Sequence, residues 1–323
     1  MDEREAAILN PLTDQPLVSA VIPTRNRPEL VCRAVRSALN QTYKNIEVVV
    51  VVDGPDRATI AALEALSEPR VKVVALSESV GGSEARNTGV RESKGKWIAL
   101  LDDDDEWLED KIRRQEERSR QVNANDVIIA SRVIERGSRA DRVLPLRLFE
   151  EGEEVCEYLF CPRGFSLGEG FLQTSTFFIN RDLLLRVPLV KGLKRGQEYT
   201  WLLMATKDAR ARLLVMPEAL AVFNIDSSPD RIGKRPAWRD LLAWIQNHDR
   251  YFTKRAYAYY LAGGCVMDAI TSKESTSTIL ALLRECVLKG QPDAKCLSFF
   301  LYRWLFRPSV LKMRSIASRG AAR

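Results

Sequence analysis

The sequence predicts an α/β protein in which helices flank a mostly parallel, doubly wound sheet, followed by a C-terminal helical extension. Over roughly the first hundred residues, short apolar stretches alternate with stretches of helical periodicity, which is typical of strands joined by helical crossovers. Residues 46–52 (IEVVVVV) are almost entirely β-branched, as strands buried on both faces are. Towards the C-terminus the pattern changes to helices rich in aromatic residues.

The same patterns predict each element in turn. Strands are predicted at 17–23, 46–52, 70–76 and 96–101, with helices between them at 28–41, 56–67 and 82–93. Residues 135–170 are expected to be irregular. Beyond them we predict a strand at 171–179, a helix from 180–182, a helix at 196–209, two short strands within 211–225, and helices at 238–261 and 275–288. The predicted organisation is a tail (1–16), a main domain (17–228) and the helical extension (229–323).

Charge and cysteine content argue against several classes of protein. The net charge of +6 comes from the end of the chain, because residues 295–323 hold seven basic residues and no acidic ones. A nearly neutral body is not expected of a nucleic-acid-binding protein. Six scattered cysteines and one histidine, His248, predict neither a zinc site nor a disulfide framework. Without a signal sequence or a long apolar run, the expected location is the cytoplasm.

Four consecutive carboxylates, Asp102 to Asp105, follow the fourth predicted strand. Two carboxylates about 5 Å apart repel each other by roughly 3 kcal/mol at an effective dielectric constant of ~20. Such a cluster therefore suggests a divalent cation as its counter-charge. The alternative is a solvated acidic turn before the next helix.

Three predicted strands end in polar residues: 23–26, 53–54 and 102–105. The carboxyl ends of parallel strands lie at one edge of a sheet, where such folds bind ligands. We therefore expect these residues to converge on one crevice.

Three segments in this order, VSAVIPTRNRPELVCRAVRSALNQTYKNIEVVVVVDG, GGSEARNTGV and GKWIALLDDDDEW, resemble the nucleotide-sugar-binding half of glycosyltransferase family 2. The resemblance covers residues 17–225 and agrees in the type, order and spacing of the motifs. It implies the GT-A fold, with residues 17–228 as the catalytic domain. It also implies inverting transfer of a sugar, most often from a UDP-sugar, to an acceptor hydroxyl.

The resemblance further implies roles for single residues around the donor. The expected donor-binding residues are Pro23, Thr24, Arg25, Asp53, Arg86, Asn87, Asp102 and Asp103. Asp104 is the expected ligand of the divalent cation, Mn²⁺ or Mg²⁺. Independently of the resemblance, the residue type and position of Asp105 predict that it caps a helix beginning near Trp107.

Inverting transfer also needs a base that takes the proton of the acceptor hydroxyl. The family places an acidic residue for this at the start of a helix, and Glu198 in KRGQEYTWLLMA matches that position. A Glu instead of the commoner Asp is a departure from the family pattern. The alternative is a first-turn Glu that only interacts with the helix dipole.

Two other functions remain open at this stage, a sugar-1-phosphate nucleotidyltransferase and a non-catalytic relative that binds nucleotides or glycans. If the chain is a transferase, a glycan or lipid-linked acceptor in cell-surface polysaccharide or lipopolysaccharide assembly is expected. Asn224 and Asp226 lie where many relatives have a histidine. The aromatic and basic tail, residues 295–323, predicts either peripheral contact with an anionic membrane or a helix packed on the catalytic domain.

Overall fold

A computed structural model describes residues 15–124, 126–137, 140–164, 169–193, 195–225 and 237–306. The strands of this part of the chain are β1 (Val18–Thr24), β2 (Ile46–Val52), β3 (Val71–Ala75), β4 (Trp97–Leu100), β5 (Glu106–Trp107), β6 (Val127–Arg136), β7 (Arg142–Leu144), β8 (Phe178–Asn180) and β9 (Arg212–Asn224). They form one mixed sheet in the order β3-β2-β1-β4-β8-β6-β9-β5, with β7 paired to β6.

Helices flank the sheet and continue beyond it. They are α1 (Pro28–Leu39), α2 (Arg57–Glu64), α3 (Gly82–Glu92), α4 (Lys111–Arg120), α5 (Val155–Phe160), α6 (Arg181–Arg186), α7 (Gln197–Lys207), α8 (Trp238–Asn247), α9 (Lys254–Tyr260), α10 (Val266–Thr271), α11 (Thr276–Lys289) and α12 (Ala294–Leu305). A π-helical turn, Leu261–Cys265, joins α9 to α10. The N-termini of two helices follow from the residues found there. Pro28 occupies the first turn of α1, and Asp56 accepts a hydrogen bond from the Thr59 N–H (3.0 Å) at the N-terminus of α2.

The four strands predicted in the first part of the chain are confirmed. β1 lies between β2 and β4 and runs parallel to both, with Val21 opposite Val49 and Leu100. The Asp53 N–H donates to the carbonyl oxygen of Thr24 (2.9 Å), so the ends of β1 and β2 lie side by side. The convergence of the strand ends at one edge of the sheet is therefore also confirmed.

The strands after residue 170 differ from those predicted from the sequence. The strand predicted at 171–179 is wrong for most of its length, because residues Thr174–Thr176 form a 3-10 turn and only β8 joins the sheet. Gln173 favours the turn, since its side-chain oxygen accepts a hydrogen bond from the Ser175 N–H (2.6 Å). The two short strands predicted within 211–225 are one strand, β9, whose pairing with β6 shifts register after Ser131. β5, β6 and β7 are not predicted from the sequence.

The C-terminal helices share a hydrophobic core with one face of the sheet. A single cluster of buried residues includes Val21 of β1, Trp201 of α7, Trp244 of α8 and Phe300 of α12. A second cluster lies on the opposite face, against α1 and α4. The predicted boundary at 228/229 and most of the N-terminal tail lie outside the described residues. No helix in the described ranges is long and apolar enough to cross a bilayer.

Candidate active site

Three carboxylates after β4 form the acidic cluster, defined as Asp102, Asp104 and Asp105. One carboxylate oxygen of each lies within 4.8 Å of those of the other two. Asp104 and Asp105 are buried, and Asp102 is half-buried. Burial, together with the charges of Asp102 and Asp104, raises the pKa of Asp105 well above its usual value. Burial and the neighbouring carboxylates thus disfavour the ionised form of Asp105.

Asp105 does not cap a helix near Trp107, and that prediction is wrong, because β5 follows it and α4 begins only after β5. Its fully buried carboxylate instead accepts three hydrogen bonds. The donors are Nε2 of Gln173 (2.5 Å), Oγ of Ser175 (2.8 Å) and the backbone N–H of Asn224 (3.1 Å). Asp105 therefore joins the acidic segment to the 3-10 turn and to the end of β9.

Asp103 is held by the end of β1. It accepts hydrogen bonds from Oγ1 of Thr24 (2.8 Å) and Nη1 of Arg27 (2.9 Å). Burial raises the pKa of Asp103, and Arg27 and Thr24 offset that shift only in part. Arg27 also lies 3.6 Å from the Asp104 carboxylate. The end of β1 therefore positions the acidic segment. The contact of Thr24 with a nucleotide donor stays a prediction.

Arg86 on α3 connects the acidic cluster to the start of α7. Its Nη2 donates to Oδ1 of Asp102 (2.5 Å), and its Nη1 donates to the side-chain oxygen of Gln197 (3.2 Å). Gln197 also donates to the carbonyl oxygen of Leu193 (2.6 Å). Because Gln197 directly precedes Glu198, one guanidinium brings the acidic cluster and the candidate base to the same region.

Glu198 lies in the first turn of α7, where the sequence places it, and is half-buried. Burial raises the pKa of its carboxyl, the positive charge of Arg86 opposes that shift, and the negative charge of Asp102 adds to it. Among the described residues, no side chain donates a hydrogen bond to this carboxylate, and Arg86 acts on it through its charge alone. Glu198 therefore shares the electrostatic environment of the acidic cluster.

Asp53 and Arg25 meet at Ser79, in the segment before α3. The Asp53 carboxylate accepts hydrogen bonds from Oγ of Ser79 (2.9 Å) and from the N–H groups of Val80 (2.6 Å) and Gly81 (3.1 Å). Arg25 donates from Nη1 to the same hydroxyl (2.7 Å). Asp53 thus holds this segment beside the end of β1, and its contact with a nucleotide base stays a prediction.

Asn87 and Pro23 stand apart from the acidic cluster in their contacts. Asn87 is buried and bonds both backbone groups of Leu189, donating to the carbonyl (2.9 Å) and accepting from the N–H (2.9 Å). It thereby links α3 to the segment before α7. Pro23 is half-buried in β1. The donor contacts expected of both residues stay predictions.

Sequence reasoning missed Arg27, Gln173 and Ser175. The available signal for the last two is the stretch QTST, whose short polar side chains interrupt an apolar strand pattern and favour a turn. Asn224 contacts this region directly, donating from Nδ2 to the carbonyl oxygen of Asp104 (3.0 Å). Asp226 lies outside the described residues.

The acidic cluster has the donor chemistry for a hard divalent cation. Mg²⁺ and Mn²⁺ take carboxylate oxygens, and a cation there would offset the repulsion among the three groups. Asp102 and Asp104 fit as ligands. Asp105 fits an anchoring role better, because three protein groups already donate to its oxygens.

Comparisons with known proteins point to one family. Residues 19–186 match the model described as Glycosyl transferase family 2. The succinoglycan biosynthesis protein ExoO of Rhizobium meliloti (strain 1021) is 37% identical over 138 residues, which are 43% of this chain and 38% of that protein. The amylovoran biosynthesis glycosyltransferase AmsB of Erwinia amylovora is 28% identical over 252 residues, 75% of this chain and 81% of that protein.

A third relative is WfaP of Escherichia coli, named a UDP-Glc:alpha-D-GlcNAc-diphosphoundecaprenol beta-1,3-glucosyltransferase. It is 35% identical over 99 residues, 31% of this chain and 39% of that protein. The matched regions thus span less than half the length of the first and third relatives, 38% and 39%.

Solved structures share the fold. TarS 1-349 of S. aureus in complex with UDP-GlcNAc superposes with a TM-score of 0.61 at 13% identity, covering 94% of this chain and 91% of that one. The mannosyltransferase PcManGT of Pyrobaculum calidifontis, in complex with GDP-Man and Mn²⁺, gives 0.51 at 17% identity, covering 96% and 76%. The mixed, mostly parallel sheet with flanking and C-terminal helices is GT-A-like. Since the family model matches more than half of the residues, this chain belongs to glycosyltransferase family 2.

Proposed function

We propose that the chain is an inverting glycosyltransferase that moves a sugar from a nucleoside diphosphate sugar to an acceptor hydroxyl. The observation that supports it most is the placement of Arg86, which bonds both Asp102 and Gln197. This residue ties the candidate donor site to the helix that carries the candidate base, Glu198. Membership of the family favours this function over that of a sugar-1-phosphate nucleotidyltransferase.

In this proposal Glu198 takes the proton of the acceptor hydroxyl while the acceptor oxygen attacks the anomeric carbon. The attack comes from the face opposite the diphosphate, so a new glycosidic bond forms as the bond to the diphosphate breaks, with inversion. The bonding electrons leave with the nucleoside diphosphate. Burial raises the pKa of Glu198, and a carboxylate of higher pKa is a better proton acceptor.

The donor would lie along the edge formed by the ends of β1, β2 and β4. Pro23, Thr24, Arg25 and Asp53 would border the base and ribose, while Arg86, Asn87, Asp102 and Asp103 would approach the ribose and diphosphate. Asp104, with Asp102, would hold Mn²⁺ or Mg²⁺ there. A bound cation supplies Lewis-acid stabilisation of the charge that develops on the diphosphate.

The names of the similar proteins suggest the substrates. WfaP is named for UDP-Glc and a diphosphoundecaprenol-linked acceptor, and the TarS structure holds UDP-GlcNAc. ExoO and AmsB are named for exopolysaccharide biosynthesis. We therefore favour a UDP-sugar donor, a glycan or lipid-linked acceptor, and a role in cell-surface polysaccharide or lipopolysaccharide assembly.

Calorimetric binding of UDP, GDP, dTDP and CMP, each with and without Mn²⁺, tests the donor site. We expect Mn²⁺-dependent binding of UDP, lost in Asp104→Asn, because that variant removes a negative ligand of the cation. Asp249→Asn, which alters an exposed carboxylate in the helical extension, is the matched control and should bind like the wild type. Binding of no nucleotide under either condition would contradict the proposed donor site.

Glu198→Gln tests the base. The variant should keep UDP binding and lose turnover by about 100-fold or more, since general-base catalysis typically contributes that much. Glu117→Gln, at an exposed position on α4, should turn over normally. A non-catalytic relative would show no turnover in the wild type despite intact nucleotide binding.

We further propose that the chain acts in the cytoplasm and contacts an anionic membrane through residues 295–323. α12 supports this, because Leu301, Tyr302 and Leu305 are 40%, 51% and 68% exposed on one face. The opposite face, with Cys296 and Phe300, is buried in the core. The basic residues from Arg307 onward lie outside the described residues, and in the sequence they follow α12 directly.

A further inference from the structure

Besides Arg86 on α3, residues of the C-terminal helices hold the start of α7. α7 begins after Gly196, which has a left-handed backbone conformation (φ +69°) that an L side chain rarely adopts. A Cβ at this position would lie 3.4 Å from Cε2 of Trp244 on α8. The indole therefore packs directly on the backbone of the residue two positions before Glu198.

Trp244 also bonds α7 on the other side of Glu198. Its Nε1–H donates to Oγ1 of Thr200 (2.7 Å), and the Thr200 hydroxyl donates to the carbonyl oxygen of Gly196 (2.7 Å). Trp244 and Thr200 are 7% and 1% exposed, so this bond is shielded from water. The first turn of α7 is thus closed by a hydrogen-bonded chain that begins on α8.

A second connection runs through Asp268 on α10. Its Oδ2 lies 3.1 Å from Nη1 of Arg195, and it accepts a hydrogen bond from the Ala237 N–H (2.9 Å) at the start of α8. Asp268 is 6% exposed. The residue before Gly196 and the beginning of α8 are therefore joined by one buried carboxylate.

We infer that Trp244 and Asp268 are positioning residues that set the location and orientation of Glu198 for the transfer step. This inference rests on the proposed function, in which Glu198 is the base. Glu198 lies between two contacts to the C-terminal helices, at Arg195–Gly196 and at Thr200, while Arg86 restrains Gln197 from the donor side. A group that must meet an acceptor hydroxyl needs such restraint, because a shift of about 1 Å can cost on the order of 100-fold in rate.

Trp244→Phe tests the inference, since it keeps an aromatic ring in the core but removes the N–H donor and shrinks the indole that packs on Gly196. We expect kcat for UDP release from UDP-glucose, with a GlcNAc-diphosphate-lipid acceptor as the probe, to fall about 10- to 100-fold. The KM for UDP-glucose and the Mn²⁺ concentration for half-maximal rate should not change. Thr200→Val removes the acceptor of the same bond, and the double variant should lose no more than the worse single variant.

Trp238→Phe is the matched control, because Trp238 lies on the same helix and donates its indole N–H to Glu274 (2.9 Å) rather than to α7. It should keep wild-type kcat. Hydrogen exchange in the full chain provides a second measurement: the amides of residues 196–200 should exchange faster in Trp244→Phe and not in Trp238→Phe.

If kcat or the exchange of residues 196–200 is unchanged in Trp244→Phe, the positioning role is overturned. It is also overturned if the KM for UDP-glucose and the Mn²⁺ concentration for half-maximal rate rise by the same factor by which kcat falls. Glu198→Gln tests the proposed function separately. If Glu198 is not the base, this variant should release UDP as fast as the wild type.

Discussion

Lys111 is fully buried and is connected through Gln115 to the 3-10 turn that bonds the acidic cluster. Its Nζ donates to Oε1 of Gln115 (2.6 Å) and lies 4.4 Å from the centre of the Trp107 ring. Gln115 in turn donates to the carbonyl oxygen of Thr176 (2.8 Å). Trp107 donates from Nε1 to the carbonyl oxygen of Ser175 (2.8 Å), so Trp107 and Gln115 both hydrogen-bond the backbone of the 3-10 turn.

The charge on Lys111 should make stability depend on pH. Burial lowers the pKa of this ammonium well below 10.5, so between the lowered pKa and 10.5 the unfolded chain binds more protons than the folded chain. The free energy of unfolding must therefore rise with pH in that window, by at most about 1.4 kcal/mol per pH unit for one group. Urea unfolding of the wild type and Lys111→Met at several pH values between 7 and 9 measures the effect.

The difference between the two proteins is the informative quantity. Lys111→Met should show a shallower rise, because the group that takes up a proton on unfolding is gone. Lys94→Met, which removes an exposed ammonium, should follow the wild type. Identical pH dependence in Lys111→Met and the wild type would mean that Lys111 keeps its proton in the folded protein.

One face of α12 is buried and another is exposed to solvent. One is part of the core through Phe300, and the other presents Leu301, Tyr302 and Leu305 to solvent. An exposed apolar face next to basic residues is typical of segments that lie in the interface of an anionic membrane. A truncation that removes α12 would expose the core, so surface substitutions are the better test.

Leu301→Asp with Leu305→Asp should weaken co-sedimentation with phosphatidylglycerol-containing vesicles by about tenfold or more. Each leucine inserted into the membrane contributes about 1.5 kcal/mol or more to the free energy of binding, and each new carboxylate is repelled by the anionic lipid. Leu146→Asp with Leu185→Asp is the matched control, since these leucines are 50% and 41% exposed elsewhere on the protein. Equal binding of all three proteins would contradict the membrane contact.

Taken as a whole, the described part of the chain has a core that continues from the sheet into the C-terminal helices. Val21 in β1 and Phe300 in α12 belong to the same cluster of buried residues, which also includes Trp201 and Trp244. Exposing this cluster on either side would leave the other side without its packing partners. Sheet and extension should therefore unfold together.

Hydrogen exchange at increasing urea concentrations checks this expectation. Peptides covering β4 and α11 should lose protection at the same urea concentration, because both elements contribute residues to the same buried cluster. A chain ending at residue 236 should not fold. Loss of protection in α8 to α12 at a lower urea concentration than in β1 to β4 would show an independently unfolding extension.

The sequence is sufficient for the parallel half of the fold and for the region of the site. Alternating apolar and amphipathic stretches predict β1 to β4 and their helices, because these patterns are local properties of the chain. The polar strand ends then converge by the geometry of parallel sheets alone. Asp102 to Asp105 directly follow β4, and Glu198 lies at the start of a helix that the sequence also predicts, so their general placement could be predicted too.

The partners of individual side chains could not be predicted in this way. Asp105 has the residue type and position of a helix cap, yet its donors are 68, 70 and 119 residues away along the chain. Trp244 reads as one more core aromatic, and its bond to Thr200 spans 44 residues. Such contacts depend on how distant elements pack, and no local pattern encodes that packing. Secondary structure and the sheet edge thus follow from short-range periodicity, whereas the support of the acidic cluster and of Glu198 arises from long-range contacts.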